Sequence, residues 1–161
     1  MVPDRTCVVF DGRRFSYSQI NERSNRLAQG LRKLGVNKGD RIAILQVNCP
    51  QYLETYYATA KIGGIFTPLN FRAKQEELSY FLNHSGANTL LLGERYIELA
   101  QSVRHEVPTV RNFISLENWE DDMLFYEELV TSSPPEAVHT EVRDEDTTVL
   151  MYTAGTTGRP K

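Results

Sequence analysis

Thr147-Thr148-Val149-Leu150-Met151-Tyr152-Thr153-Ala154-Gly155-Thr156-Thr157-Gly158-Arg159-Pro160-Lys161 joins a β-branched, apolar run to a loop of glycine, threonine and one lysine. Thr147 to Tyr152 reads as a buried strand. Gly155 and Gly158 let the main chain take positive φ and approach a ligand closely. Successive N–H groups in such a turn converge into a concavity that binds anions. Thr153, Thr156 and Thr157 add hydroxyl donors, and Lys161 adds a positive point charge, a set suited to the oxygens of a polyphosphate. Each charge-assisted hydrogen bond of this kind contributes roughly 1.5–3 kcal/mol.

A surface turn could share this composition. The strand-like run in front of the loop favours a phosphate cradle over it. The loop is not of the Walker type, because Pro160 separates the lysine from Gly158 and no helix-forming pattern follows. A self-contained kinase or P-loop ATPase is disfavoured on that ground.

Working outward, the chain alternates short apolar runs with helical patterns. Asp11-Gly12 between Cys7–Phe10 and Arg14–Ser16 predicts a small β-hairpin. Ser16 and Gln19 have capping-box spacing ahead of a helix with Ile20, Leu27, Leu31 and Leu34 inward. Glu22, Arg23, Arg26 and Arg32 take its other face, and Gly35 ends it. Ile42–Leu45 and Asn88–Leu92 read as strands covered on both faces. Between them, Pro50 opens a helix whose apolar face of Tyr52, Leu53, Tyr56, Tyr57 and Ala60 is expected to cover the sheet. Ile65–Leu69 is a strand whose Pro68 implies an edge or an end. Leu78, Phe81 and Leu82 mark a third helix from about Ala73 to Ser85-Gly86. A fourth helix around Tyr96–Val103 and a strand at Arg111–Ser115 continue the series.

Trp119–Val130 is expected to be partly helical, with Met123, Leu124 and Leu129 inward. Thr131-Ser132-Ser133-Pro134-Pro135 reads as a linker, placed near 131–136. The fold class is therefore α/β, a largely parallel sheet with helices on both faces and an N-terminal hairpin.

The decamer Tyr152–Lys161 resembles the phosphate-binding signature of the AMP-forming acyl-CoA synthetases, whose superfamily includes luciferases and peptide synthetase adenylation domains. Their pattern is aromatic-Thr-Ser-Gly-Thr-Thr-Gly-x-Pro-Lys; Ala154 replaces the serine and removes one hydroxyl but no backbone donor. Asp40–Ile44, Ala60–Arg72 and Glu76-Glu77-Leu78 are similar to early blocks of the same family. The Leu69-Asn70-Phe71-Arg72 segment is closer to fatty-acyl and related CoA ligases than to peptide synthetase domains. Nearly all of the chain is covered, and only the terminal loop carries chemistry.

The resemblance implies ATP and a carboxylic acid as substrates, Mg2+, and coenzyme A as thiol co-substrate with its site outside this chain. It implies that Thr153 lies near the magnesium ion, that Ala154, Gly155 and Gly158 line the loop, that Thr156 and Thr157 bind phosphate oxygens, and that Lys161 neutralises charge. It implies, further, that residues 1–161 form the N-terminal portion of an AMP-binding domain, preceded by a helix in relatives. The downstream pocket and a C-terminal domain with a catalytic lysine would lie beyond, so no catalytic set is complete in this chain, and the piece alone is expected to be inactive. Another adenylating branch, such as an aryl-acid ligase, a luciferase or a carrier-protein loader, and a non-catalytic module that keeps the fold, remain as alternatives.

Composition sets the remaining bounds. The chain is 40% hydrophobic and 24% charged with a net charge of -3, which speaks against nucleic acid or an anionic membrane as partner. Residues 113–146 carry eleven acids against one base, Arg143, and are expected to be a solvated acidic face. Cys7 and Cys49 form no C-x-x-C pair, which points to structural thiols in a reduced, cytoplasmic setting. His84, His105 and His139 lack zinc-ligand spacing. No apolar run reaches the length of a membrane span.

Overall fold

The computed structural model describes residues 2–153. The chain opens with an antiparallel hairpin, β1 (Thr6–Phe10) and β2 (Arg13–Ser16), turned by Asp11 and Gly12 at φ 47° and 71°. The helix α1 (Tyr17–Lys33) begins in a complete capping box, with Ser16 Oγ accepting from the Gln19 amide and Gln19 Oε1 accepting from the Ser16 amide.

The alternation then runs β3 (Arg41–Leu45), α2 (Pro50–Lys61), β4 (Ile65–Pro68), α3 (Gln75–Ser85), β5 (Thr89–Leu92), α4 (Ile97–Val103), β6 (Asn112–Ser115), β7 (Leu124–Phe125) and α5 (Tyr126–Thr131). The five strands β3 to β7 form one parallel sheet in the order β4-β3-β5-β6-β7. The period of two along each strand sends side chains to two separate cores. Ala43, Leu45, Leu90, Leu92 and Phe113 face α3 and α4, where Leu78, Phe81, Leu82, Ala100 and Val103 cover them. Ile42, Ile44, Leu91 and Ile114 face α1, α2 and α5, covered by Leu27, Leu31, Ala58, Tyr126 and Val130. The expected parallel sheet with helices on both faces is thus observed, and Pro68 both ends β4 and lies on an edge strand.

Three local expectations are corrected. The inward face of α2 consists of Glu54, Thr55, Ala58 and Thr59, whereas Tyr56, Tyr57 and Ala60 are exposed and Tyr52 and Leu53 half-buried. The small side chains let α2 lie close to α1, while of the aromatic stripe Tyr52 and Tyr56 do reach the sheet, packing edge-to-face on the buried Phe66 of β4, with Tyr57 against Tyr56. Leu124 faces outward; Met123 is buried in the core under α3 and α4, and Tyr126 and Val130, with Leu129 half-buried beside them, fill the core under α1 and α2. Thr147–Tyr152 forms no buried strand. It makes a single parallel bridge, Phe66 to Val149, on the outer edge of β4, with Met151 exposed. With β4 as its one ladder partner among the described residues, the run lacks the second ladder that its apolar character suggests.

Candidate functional site

Of the cradle residues, Thr153 lies among the described residues, where it is exposed. Ala154, Gly155, Thr156, Thr157, Gly158 and Lys161 lie outside them. What the fold shows is how the root of the loop is held and where it points.

The Phe66 amide donates to the Thr148 carbonyl and the Leu150 amide donates to the Phe66 carbonyl, each over 2.9 Å. The bridge is parallel, so this segment travels in the same sense as the sheet and delivers Thr153 at the carboxyl ends of the strands. The strand order reverses beside β3, with β4 on one side and β5 on the other, which is where open α/β sheets take their ligands.

Tyr152, the aromatic residue that precedes the loop, is moored to α3. Its ring lies 4.6 Å from that of Phe81 and 6.3 Å from that of Tyr80. Its hydroxyl is 2.9 Å from His84 Nδ1 and donates to the Phe81 carbonyl at 3.4 Å. Burial pushes the Tyr152 phenol above its ordinary pKa, so it remains a neutral donor. Val149 packs into the core under α1 and α2 while Tyr152 packs into the core under α3 and α4. The loop's root therefore wraps the β4 edge and is gripped from both faces of the sheet.

The approach to that root is also fixed. Residues 132–146 contain no helix or strand, yet α1 holds them with a row of donors. Asn25 Nδ2 donates to Pro135 O at 2.9 Å, Arg26 Nη1 to Ser133 O at 2.7 Å, Gln29 Nε2 to Glu136 O at 3.0 Å and Arg32 Nη2 to Thr140 Oγ1 at 3.4 Å. Lys38, in the turn after α1, donates to Glu141 O at 2.8 Å and pairs with Asp146 at 2.5 Å. The basic face of α1 is thus occupied, and the acidic stretch is only partly the solvated face expected of it.

A second polar cluster lies under the N-terminal hairpin. Arg23 spans from Glu54 Oε1 at 2.8 Å to both carboxylate oxygens of Glu127 at 3.0 and 2.6 Å, and Tyr126 Oη donates to Glu54 Oε2 at 2.6 Å. Burial alone would pull the Arg23 guanidinium down, but its hydrogen bonds to Glu127 and Glu54 outweigh this and hold it above its ordinary value. Burial, reinforced by the Glu54 charge, pushes the Tyr126 phenol well up. A cavity of about 510 Å³, lined in part by Phe10, Arg13, Gln19 and Gln51, opens onto these groups. All four are partnered, so the cluster reads as structure and not as acid–base machinery.

The residues that the sequence reading missed are His84, Tyr80 and Phe81, which moor Tyr152, and Asn25, Gln29 and Lys38, which hold the strap. The sequence carried no signal for the strap, because α1 meets its backbone carbonyls and one threonine hydroxyl and none of its acids. Cys7 and Cys49 are free thiols, and no helix among the described residues is long and apolar enough to cross a membrane.

Comparison with known proteins supplies the rest. The family model for "AMP-binding enzyme" matches residues 1–161. The chain is 34% identical to 3-oxocholest-4-en-26-oate–CoA ligase of Rhodococcus rhodochrous, covering 100% of this chain and 30% of that protein. It is 36% identical to a long-chain-fatty-acid–CoA ligase of Thermus thermophilus, covering 92% of this chain and 27% of that protein. Among solved structures, the inhibitor-bound N-terminal domain of FACL13 from Mycobacterium tuberculosis superposes with a TM-score of 0.84 at 31% identity, over 93% of this chain and 37% of that one. The anthranilate CoA ligase AuaEII has the same fold, with a TM-score of 0.94 at 23% identity over 98% of this chain and 31% of that one. The chain spans less than a third of the length of the two curated relatives. With a match along its whole length, and with the root of its glycine–threonine loop set at the carboxyl ends of a parallel sheet, the chain belongs to the AMP-binding enzyme family.

Proposed function

We propose that the protein carrying this chain activates a carboxylic acid with ATP and passes the acyl group to coenzyme A. In the first step a carboxylate oxygen attacks the α-phosphorus, the bond to the β-phosphate oxygen breaks, and pyrophosphate leaves. In the second, the thiol of coenzyme A attacks the acyl carbonyl and AMP leaves. Residues 153–161 are assigned to the pyrophosphate end. Their amides, the hydroxyls of Thr156 and Thr157, and Lys161 grip the β and γ phosphates, align the α-phosphorus for in-line attack and disperse the charge that develops on the leaving group. Thr153 is assigned to the magnesium ion that accompanies ATP, which supplies charge neutralisation on the phosphates.

The observation that carries this reading is the parallel bridge between Phe66 and Val149, because it delivers Thr153 to the carboxyl ends of the strands, the end of an open α/β sheet at which ligands bind. A fatty acid is the preferred substrate class. The Leu69-Asn70-Phe71-Arg72 segment and the 36% identity to a long-chain-fatty-acid–CoA ligase support it. Residues 1–161 are read as one part of the AMP-binding domain, with 131–136 as a connector inside it.

The test is pyrophosphate release from MgATP across a panel of fatty, aryl and short-chain acids, with Thr156→Ala and Lys161→Ala beside the parent. We expect a fatty acid to give the highest kcat/KM and each variant to lose about 10- to 1000-fold, the scale for removing one preorganised donor from a developing charge. Unchanged adenylation in both variants would remove the loop from the reaction. A higher kcat/KM with an aryl acid would remove the fatty-acid assignment alone.

A further inference from the structure

Side chains of α1 and the turn after it hold residues 133–146 mainly by their backbone carbonyls, with Thr140 Oγ1 and the Asp146 carboxylate as the two side-chain partners. Asn25, Arg26 and Gln29 reach the carbonyls of Pro135, Ser133 and Glu136, and Lys38 reaches that of Glu141. Such contacts read where the strap lies and ignore its side chains. The strap runs along α1 in the same direction, from Ser133 and Pro135 at Arg26 and Asn25 to Glu136 at Gln29 and Thr140 at Arg32. Its last clamp is the Lys38–Asp146 pair, reinforced by the Arg143 amide donating to Asp146 Oδ2 at 2.7 Å. Two residues on, Thr148 begins the bridge to Phe66.

The clamp is packed as well as charged. Gly63, at φ 68°, lies directly beneath it, and a Cβ there would come within 3.0 Å of Lys38 Cγ and 3.2 Å of Thr140 Cγ2. The lysine stem and the strap therefore cross the end of α2 where there is no side chain to hold them off.

We propose that Lys38 is a positioning residue for the reaction: with Asp146, and with the α1 donors behind it, it sets where the strap meets the β4 edge and hence where Thr153, the root of the glycine–threonine loop, stands. The proposal rests on the reading of that loop as the ATP phosphate site. Lys38 touches neither ATP nor the acid in this scheme, and acts only through the placement of residues 147–153.

The test uses the whole protein that carries this chain, with Lys38→Met, Lys38→Arg, the milder Asp146→Asn and the charge-reversed pair Lys38→Asp with Asp146→Lys. Lys38→Met is expected to raise KM for MgATP about 3- to 10-fold while KM for the acid and for coenzyme A stay within about twofold, a split that general loosening would not produce. Hydrogen exchange at the Leu150 and Phe66 amides should quicken while the β5 amides stay protected. Asp146→Asn should show a smaller version of both effects, and Lys38→Arg should restore them. The reversed pair should restore them only in part, because it keeps the ion pair but loses the contacts to the Glu141 carbonyl and the Arg143 amide. If Lys38→Met leaves KM for MgATP unchanged while Lys161→Ala impairs it, the positioning role is wrong and the loop assignment stands. Equal changes in all three KM values would also overturn it, since they would mark general destabilisation. If Lys161→Ala has no effect, the loop assignment itself fails, and the role of Lys38 in the reaction fails with it.

Discussion

Glu54, 1% exposed and in the middle of α2, is held by Tyr126, which lies 72 positions later and donates to it across 2.6 Å in a fully buried contact. Arg23 completes the group from α1, so a carboxylate that burial would otherwise expel joins three helices. Removing one partner from such a cluster leaves an uncompensated charge. Arg23→Met should therefore destabilise the protein by about 3–5 kcal/mol, and Glu54→Gln by less, because the amide keeps an acceptor for Tyr126. Urea unfolding of both variants and the double mutant checks this; the double mutant should be less destabilised than the sum of the singles.

Gly30 is the helical position where two effects oppose each other. Alanine is favoured over glycine in a helix interior by about 1 kcal/mol. A Cβ at Gly30 would, however, lie 2.7 Å from Leu129 Cγ and 3.1 Å from Ser133 Oγ. Overpacking of this kind costs about 1–3 kcal/mol, so Gly30→Ala should be net destabilising by about 1 kcal/mol. A rise in the urea midpoint would show that α5 can withdraw from α1.

Tyr152 separates hydroxyl from ring. Tyr152→Phe loses the contacts to His84 and the Phe81 carbonyl and should cost about 0.5–1.5 kcal/mol. Tyr152→Ala also loses the packing on Phe81 and should cost about 1–2 kcal/mol more, since the ring is only half-buried. Thermal unfolding gives the order; an alanine variant as stable as phenylalanine would show that the root does not depend on α3.

Asp146 carries a pH signature. The Arg143 amide first, and Lys38 next, hold its carboxyl below the usual carboxylate range. A depressed folded pKa means that the contribution is complete above the unfolded value of about 3.9 and is lost as pH falls through the lower folded value. The Arg143 amide resonance should therefore titrate with a midpoint below about 3.9, and Asp146→Asn should abolish that titration.

Cys49 should react slowly. Burial pushes its thiol up, against a smaller opposing hydrogen bond from the Tyr52 amide. Iodoacetamide at pH 7.5 should therefore modify Cys49 more slowly than a free cysteine of pKa about 8.5. Equal rates would place Cys49 in a more open setting.

The sheet was legible because its strands are covered on both faces: Ile42–Leu45 and Thr89–Leu92 are continuous apolar runs with glycine or polar residues at their ends. The capping box at Ser16 and Gln19 and the left-handed Gly86 after α3 were legible for local reasons, since each satisfies backbone groups of its own helix. The face of α2 was not, because hydrophobicity ranks tyrosine above threonine whereas close helix packing selects small side chains, as at Thr55, Ala58 and Thr59. Nor was the strap, whose contacts are to carbonyls that every residue carries. The glycine–threonine loop was legible only as a motif, and the setting of its root, Thr148–Tyr152, on the β4 edge and on α3 came only from packing between residues far apart in the chain.

The α1 donors, with Lys38 after them, are separated from the strap they hold by 103 to 110 positions. Contacts between neighbouring elements, such as α1 with α2, close far shorter stretches of chain. Each doubling of a closed loop adds about 0.6 kcal/mol of lost entropy, and distant contacts form readily only once the intervening chain is already compact. The clasp over α1 is therefore a late event in folding. A chain with its sheet still incomplete cannot yet seat Thr148–Tyr152 on the β4 edge, so this border of the sheet is completed only in molecules that have finished folding.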